Sequence, residues 1–330
     1  MLSNKKVKIN VEDVDIDKPL YDMDSYIGRV KYFFYITNPL NAFATNAQLD
    51  RAKTIVEIQR KKGKQNSCIE VEDLYRAKIL YESAFHPGTG EKQTTLGRMS
   101  AQLPANTVLA ACLTYFYKSM FSVVFWQWIN QSFNALVNYT NRSSDSETST
   151  ALIMQCYLAA VFGAVSVSLI FKRLAKSASP VVGRFVPYIG CSAAHFVNVP
   201  LMRRNELQDG ATLFDENGKK VGRSKTAAKR AIMQVVATRV AMSALPMLGT
   251  PVVIDYLIKQ GIHFKNTFGP ELALQAVGYA ISIPTCLALF KPYQRITFRD
   301  LEEEAQEEVK AKTATKQRPY ACAVYFNKGL

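Results

Sequence analysis

Hydrophobic positions along this chain recur at two rhythms. Up to about residue 98 they are spaced as on amphipathic helices. In Asn46 to Lys62, the residues Leu49, Ala52, Ile55, Val56 and Ile58 fall near one face of a 3.6-residue repeat, and Gly63 stands beyond to end it. Val71 to Phe85 repeats the pattern through Leu74, Ala77, Ile79 and Leu80. Before both lies an aromatic cluster from Tyr21 that stops at Pro39. From about Pro104 the rhythm gives way to long runs almost free of charge. These are Leu103 to Tyr117, continuing through Lys118 to Asn141, then Ala151 to Phe171, Phe185 to Met202, Ala231 to Ile258 and Phe268 to Phe290. Apolar runs of this length between basic residues point to membrane-spanning helices. The pattern predicts an all-α, polytopic membrane protein of about five transmembrane helices. A polar helical N-terminal region (1–98) precedes a transmembrane domain (99–290) and a polar C-terminal tail (291–330).

The first run admits two span counts. Met99 to Asn141 would be about 65 Å long as one helix, roughly two bilayer crossings. It fits one span followed by an amphipathic helix, or two spans. Within it, Gln127, Asn130, Gln131, Asn134, Asn138 and Asn141 fall within about 100° on a helical wheel. Phe125, Trp128, Ile129, Ser132, Leu136 and Tyr139 fall opposite. Lys118 is the only charge between Arg98 and Arg142, so this polar face is made of carboxamides rather than Lys and Glu. Each carboxamide offers donors and acceptors. In lipid such a stripe turns inward, either to join neighbouring helices or to line a watery path for a solute. A face of small residues in the second run, Ala159, Gly163, Ala164 and Ser168, suits close helix packing.

The mean hydropathy of the whole chain is near zero because polar ends offset an apolar middle. The formal net charge is +14, of which +3 lies in residues 1–98, +9 in 99–290 and +2 in 291–330. The excess clusters between apolar runs, as at Lys172, Arg173, Lys176 and at Arg203, Arg204, rather than among aromatics on one surface. That distribution fits flanks of membrane spans and not nucleic-acid binding. It is balanced between the two sides and does not choose an orientation. Cys68, Cys112, Cys156, Cys191, Cys286 and Cys322 are scattered without metal-ligand spacing, so neither a zinc site nor a disulfide framework is expected. The first residues turn acidic by Glu12 and resemble neither a secretory signal nor an Arg-rich transit peptide. Any targeting information is expected to be internal.

Chemistry-bearing constellations are sparse. His86, Pro87, Gly88, Thr89, Gly90, Glu91 and Lys92 form a turn-rich loop that superficially suggests phosphate binding. A phosphate loop needs a glycine five residues before its Gly-Lys pair and Ser or Thr after the lysine; here Glu91 intervenes and Gln93 follows. The loop is expected to be a capped turn entering the membrane. His86, His195 and His263 are far apart, and no catalytic or metal-binding pattern stands out. Polar residues inside the runs are better candidates. Arg239 should face water, an anionic solute group or Asp255, or else snorkel to the surface. His195 and Asn198 precede Pro200, expected to break the local hydrogen-bond ladder, by a functional helix break or a terminal kink. Pro246, Gly249 and Pro251 are expected to interrupt the fourth run and Pro284 the fifth. Asp215 to Gly218 predicts a turn, and Arg299 to Lys312 a solvated charged helix.

Several of these pieces resemble the sideroflexin family. They are Tyr26 to Arg29, Ser83 to Lys92, Gly97 to Gln102, Phe125 to Ser143, Gly183 to Pro187, Asn198 to Arg203, Asp215 to Gly218 and Tyr325 to Leu330. The resemblance spans nearly the whole chain. Gly88 departs from it, replacing the aspartate of the family's His-Pro-Asp-Thr-Gly-Glu-Lys loop, and His195 falls where no family histidine is expected. The resemblance implies a multi-pass transporter of the mitochondrial inner membrane rather than an enzyme. It implies carriage of serine and related small neutral amino acids in support of one-carbon metabolism, without a cofactor. The expected partners are those amino acids and the lipid bilayer. On this reading Asn130, Asn134 and Asn138, with Asn198 and Arg239, line the solute path. The alternatives are a membrane scaffold or assembly factor, and a protein handling iron or a cofactor precursor. The lack of clustered Cys, His and carboxylates inside the runs argues against direct iron coordination.

Overall fold

Local capping explains where the first helices begin. In the computed structural model, which describes residues 16, 18–62, 70–86, 89–140, 150–175, 180–313 and 323–329, α1 (Tyr26–Ile36) starts at Ser25, whose hydroxyl accepts from Gly28 N at 2.9 Å. Thr45 and Gln48 cap α2 (Asn46–Lys62) reciprocally, at 3.3 and 2.9 Å, satisfying two donors that the first turn leaves free. The amphipathic faces of α2 and α3 (Val71–Ala84) pack together: Val56 meets Leu74, and Leu49 meets Ala84 and Phe85. Cys68, Pro87, Gly88, Asn141, Arg142, Ser143, Lys176, Cys322 and Leu330 lie outside the described residues.

The run from Met99 resolves into two helices. α4 (Gln102–Tyr115) ends before Lys118, and α5 (Met120–Thr140) begins after it. Next come α6 (Thr150–Leu174), the single turn α7 (Pro180–Gly183), α8 (Val186–Met202), the short α9 (Arg204–Asp209), α10 (Lys225–Lys259) and α11 (Phe268–Leu287). α5, α6 and α8 pack as one group and α4, α10 and α11 as another, with α8 against α10. By length and composition, α6 and α10 are able to cross a membrane. The expected proline breaks do not occur. α8 runs through Pro200 to Met202, so the proline occupies the last turn, where one lost hydrogen bond disrupts little. α10 continues through Pro246 and Pro251, and α11 through Pro284. A Cβ on Gly278 of α11 would come 2.9 Å from Cα of Pro246. Gly278 thus lets α11 pack directly against the proline.

The chain is not all-α. β1 (Ala211–Phe214), β2 (Lys220–Ser224), β3 (Tyr293–Thr297) and β4 (Ala323–Asn327) form an antiparallel sheet in the order β2-β1-β4-β3. Asp215 Oδ1 accepts from Asn217 N at 2.9 Å and Lys219 N at 2.8 Å, making the predicted turn a hairpin between β1 and β2. α12 (Glu303–Thr313), the predicted charged helix, is only half solvated. Its Ala305 and Val309 join Leu213, Val221, Ile296, Val324 and Phe326 in the sheet's core, which continues onto Ala227, Ala228 and Ala231 of α10.

The two ends of the helical bundle differ. At one end lie the N-terminal helices and the sheet: Arg29 Nε donates to Ala288 O at 2.8 Å, and Arg203 Nη1 to Lys328 O at 2.7 Å. At the other, Lys172 Nζ donates to the carbonyls of Tyr117 and Lys118, each at 2.6 Å, and the Tyr115 and Phe268 rings meet edge to face. Between the ends, large apolar side chains point outward, including Phe121 (78% exposed) and Phe162 (75%). Val252 of α10 and Val277 and Ile281 of α11 are exposed too. So broad an apolar exterior would be a liability in water and suits lipid.

Candidate functional site

The amide stripe of α5 faces inward. Gln127, Asn130 and Gln131 are buried, Asn134 and Asn138 half-buried, while Phe125 and Trp128 on the opposite face are exposed. Gln127 is fully buried and donates through Nε2 to Ser168 Oγ of α6 and to Pro187 O of α8, both at 3.2 Å. Its Oε1 accepts from Cys191 Sγ at 3.7 Å, and Asn130 Nδ2 reaches the same sulfur at 3.3 Å. A buried carboxamide needs several partners at once, and three helices converge to supply them. Gly190 makes this possible: a Cβ there would collide with Ser168 Oγ and with Gln127 Nε2. The small-residue face of α6 serves the same approach, with Ala160 and Ala164 against Ala194.

Three turns along α5, a second cluster joins α5, α8 and α10. Asn138 Nδ2 donates to Asn198 Oδ1 at 3.1 Å, and Asn138 Oδ1 accepts from Arg239 Nη2 at 3.5 Å. Asp255 is not the partner of Arg239; it pairs with Lys259 at 2.8 Å, four turns further along α10. No carboxylate pairs with Arg239 among the described residues. His195 lies close enough to feel its charge. Asn134 stands between the two clusters, one turn from each of Asn130 and Asn138. The structure therefore gathers Asn130, Asn134, Asn138, Asn198 and Arg239 along one inward line. Pro200 is near this line but opens no gap in α8.

The loop His86 to Lys92 is elsewhere and does different work. His86 N donates to Glu91 O, Gly90 N to His86 O and Gln93 N to Ala84 O, each at 2.9 Å. Thr89 N donates to His86 Nδ1 at 3.1 Å. α2 grips the loop twice, through Lys53 Nζ on Gly90 O at 3.0 Å and Asp50 on Lys92 at 2.7 Å. Its groups thus serve each other and α2.

A third polar cluster was not foreseen. Thr114 of α4 reaches Glu271 Oε2 of α11 at 3.3 Å, and Gln275 Nε2 reaches Thr114 Oγ1 at 3.5 Å. Glu271 and Gln275 are 5% and 0% exposed. Tyr279 follows one turn later on the same face and packs with Cys191, so this cluster leads toward the Gln127 group. The signal for it was present: Glu271 is the single acid in the run Phe268 to Phe290. Several buried polar atoms along the interior have no protein partner among the described residues, including Gln131 Nε2, Ser192 Oγ, Gln234 Oε1, Gln275 Oε1 and Ser282 Oγ. Such atoms are costly in a structural core and are the groups that water or a polar solute would satisfy.

An apolar outside around a seam of neutral amides, with Arg239 bonded to an amide rather than to a carboxylate among the described residues, defines a membrane-type helical bundle with a polar interior. Comparison with known proteins gives its family. The sideroflexin family model matches residues 15–330, and the chain belongs to that family. It is 43% identical to Sideroflexin-1-3 of Drosophila melanogaster, over 96% of this chain and 98% of the relative. It is 42% identical to Sideroflexin-1 of Ovis aries and 41% identical to Sideroflexin-3 of Homo sapiens, with the same coverage of both chains in each case. No solved structure matches it.

Proposed function

We propose that the protein is a transporter, not an enzyme, carrying serine and related small neutral amino acids across the mitochondrial inner membrane and so supplying one-carbon metabolism. The observation that carries this reading is the inward amide seam of α5, running from Gln127 to Asn138 and ending at Arg239. A zwitterionic solute needs donors for its carboxylate and acceptors for its ammonium group. Neutral amides provide both without holding the solute too tightly to release. Unbroken helices mean that side chains, rather than opened helix ends, would supply these contacts. Asn130, Asn134, Asn138 and Asn198 would line the path, with Arg239 attracting the carboxylate. Residues 99–290 would hold the membrane-crossing segments, and the apolar exterior supports lipid as their surroundings.

The test is uptake of labelled serine by proteoliposomes carrying the purified protein. Asn134→Leu and Asn138→Leu, each folded as judged by melting in detergent, are expected to lower the uptake rate by about tenfold, the order of one lost polar contact in a desolvated site. Uptake at the wild-type rate by both variants would make the stripe a packing device only.

A further inference from the structure

We propose that Glu271, Gln275 and Thr114 form a second solute station, one that holds the ammonium group of the carried amino acid, with Arg184 facing its carboxylate. This rests on the transport reading above and adds a site that the amide seam does not contain. The chemistry of the side chains argues for it. The Glu271 carboxylate has the hydroxyls of Thr267 and Thr114 beside it, the Thr114 bond long at 3.3 Å, and the Thr114 hydroxyl also has Ala110 O at 2.9 Å within reach. Thr114 has one proton and cannot serve both fully. Gln275, with no exposed surface, turns its Nε2 toward Thr114 and leaves Oε1 without a partner among the described residues. A carboxylate, a carboxamide oxygen and a hydroxyl gathered in one buried place are acceptors, and together they call for a cationic donor.

The cations nearby do not meet this demand. Lys118 and Arg184 are close enough for their charges to act on Glu271, yet among the described residues neither forms an ion pair with it. Arg184 instead leaves a buried Nη1 without a partner among the described residues. Among the described residues, an acid with hydroxyl partners but no cation paired to it and a guanidinium with one unsatisfied nitrogen are complementary to the two charges of a zwitterion. An ammonium group carries three donors and matches the acceptor set, and a carboxylate matches the guanidinium fork. The seam's other end offers the reverse emphasis, a cation at Arg239 with no carboxylate paired to it among the described residues. Thr114 and Gln275 act by holding Glu271 and sharing the ammonium group.

The experiment compares proteoliposome uptake of labelled serine with that of labelled glycerate, which replaces the ammonium group by a hydroxyl. The wild type is expected to prefer serine. Glu271→Gln is expected to raise the KM for serine by about tenfold and to leave glycerate uptake unchanged, so that the preference collapses. Glu271→Asp should restore part of it. Gln275→Leu and Thr114→Val, which keep the carboxylate, should raise the serine KM by a smaller factor. Melting in detergent identifies any variant that fails to fold, and the remaining ones decide. Equal loss for both solutes, or an unchanged preference, overturns the station. So does a sodium requirement in the wild type that Glu271→Gln abolishes while the preference survives, since the site would then hold an inorganic cation. A wild type that carries no amino acid at all overturns the transport reading itself, a different result from a wild type that carries serine with Glu271 indifferent.

Discussion

At the scale of single residues, the interior is organised by what fits beside Gln127. Its amide is fully buried and spans three helices, and Gly190 is the position that lets α8 come close enough to be reached. Any side chain at 190 would push against Ser168 and Gln127 together. Gly190→Val is expected to destabilise the protein by about 1–3 kcal/mol, the usual cost of overpacking, with some of it arising from amide hydrogen bonds that are lost. Chemical denaturation in detergent measures this, and an unchanged midpoint would show that α8 can shift freely. The inward turn of the stripe was legible in the sequence because its amides share a face and lack charge. Its partners were not. Ser168 reads as packing and Cys191 as a small hydrophobe, since periodicity places a residue on a face without saying which neighbour it meets. Glu271 was visible as a lone acid, but only the fold brings Thr114 and Gln275 beside it.

At the scale of elements, α10 shows how a helix end is fixed from a distance. Ser224 Oγ accepts from Ala227 N at 3.1 Å as its N-cap, while donating to Glu302 Oε2 at 2.8 Å. The Glu302 carboxylate also accepts from Lys225 N, and from Thr226 N at 3.4 Å. A carboxylate at a helix N-terminus meets both the free donors and the positive end of the dipole. Burial pushes Glu302 up, but hydrogen bonds from its own backbone, Ser224, Lys225 and Thr226 outweigh that and hold its carboxyl below the ordinary value of 4.5. The native state therefore binds the proton less readily than the unfolded chain. Its stabilising effect is complete above the ordinary value and is lost as pH falls through the lowered one. The stability gap between wild type and Glu302→Gln is expected to be widest near pH 7 and to close on acidification, as followed by melting in detergent. A gap independent of pH would assign the effect to something other than the charge. This contact also marks where sequence reading stops. Strands of four or five residues, drawn from segments about a hundred residues apart, carry too little periodic signal to be recognised. A Pro inside an apolar run likewise says nothing of the glycine on another helix that it packs against.

At the scale of the whole molecule, the two ends of the chain meet at one helix terminus. Arg29, from α1, donates to Ala288 O, and Lys328, just beyond β4, reaches Leu287 O at 3.5 Å, so two cations sit at the negative end of α11. Arg203 ties the same point to α8 through Lys328 O. Three motifs read separately in the sequence, around Arg29, Arg203 and Lys328, are thereby one structural junction beneath the bundle. Its energetics can be tested through Lys328. Burial, and then the nearby charge of Arg29, lower its amine from 10.5 to about 8. Below about 8 the lysine is charged in both states, and folding bears the cost of burying that charge. Between about 8 and 10.5 the native state loses its proton while the unfolded chain keeps it, so stability should rise with pH across that window. Lys328→Met removes the titrating group, and its melting temperature should lack that rise when compared with wild type over the same interval. If both climb alike, the amine is not desolvated in the folded protein, and the junction would be held by Arg29 and Arg203 alone.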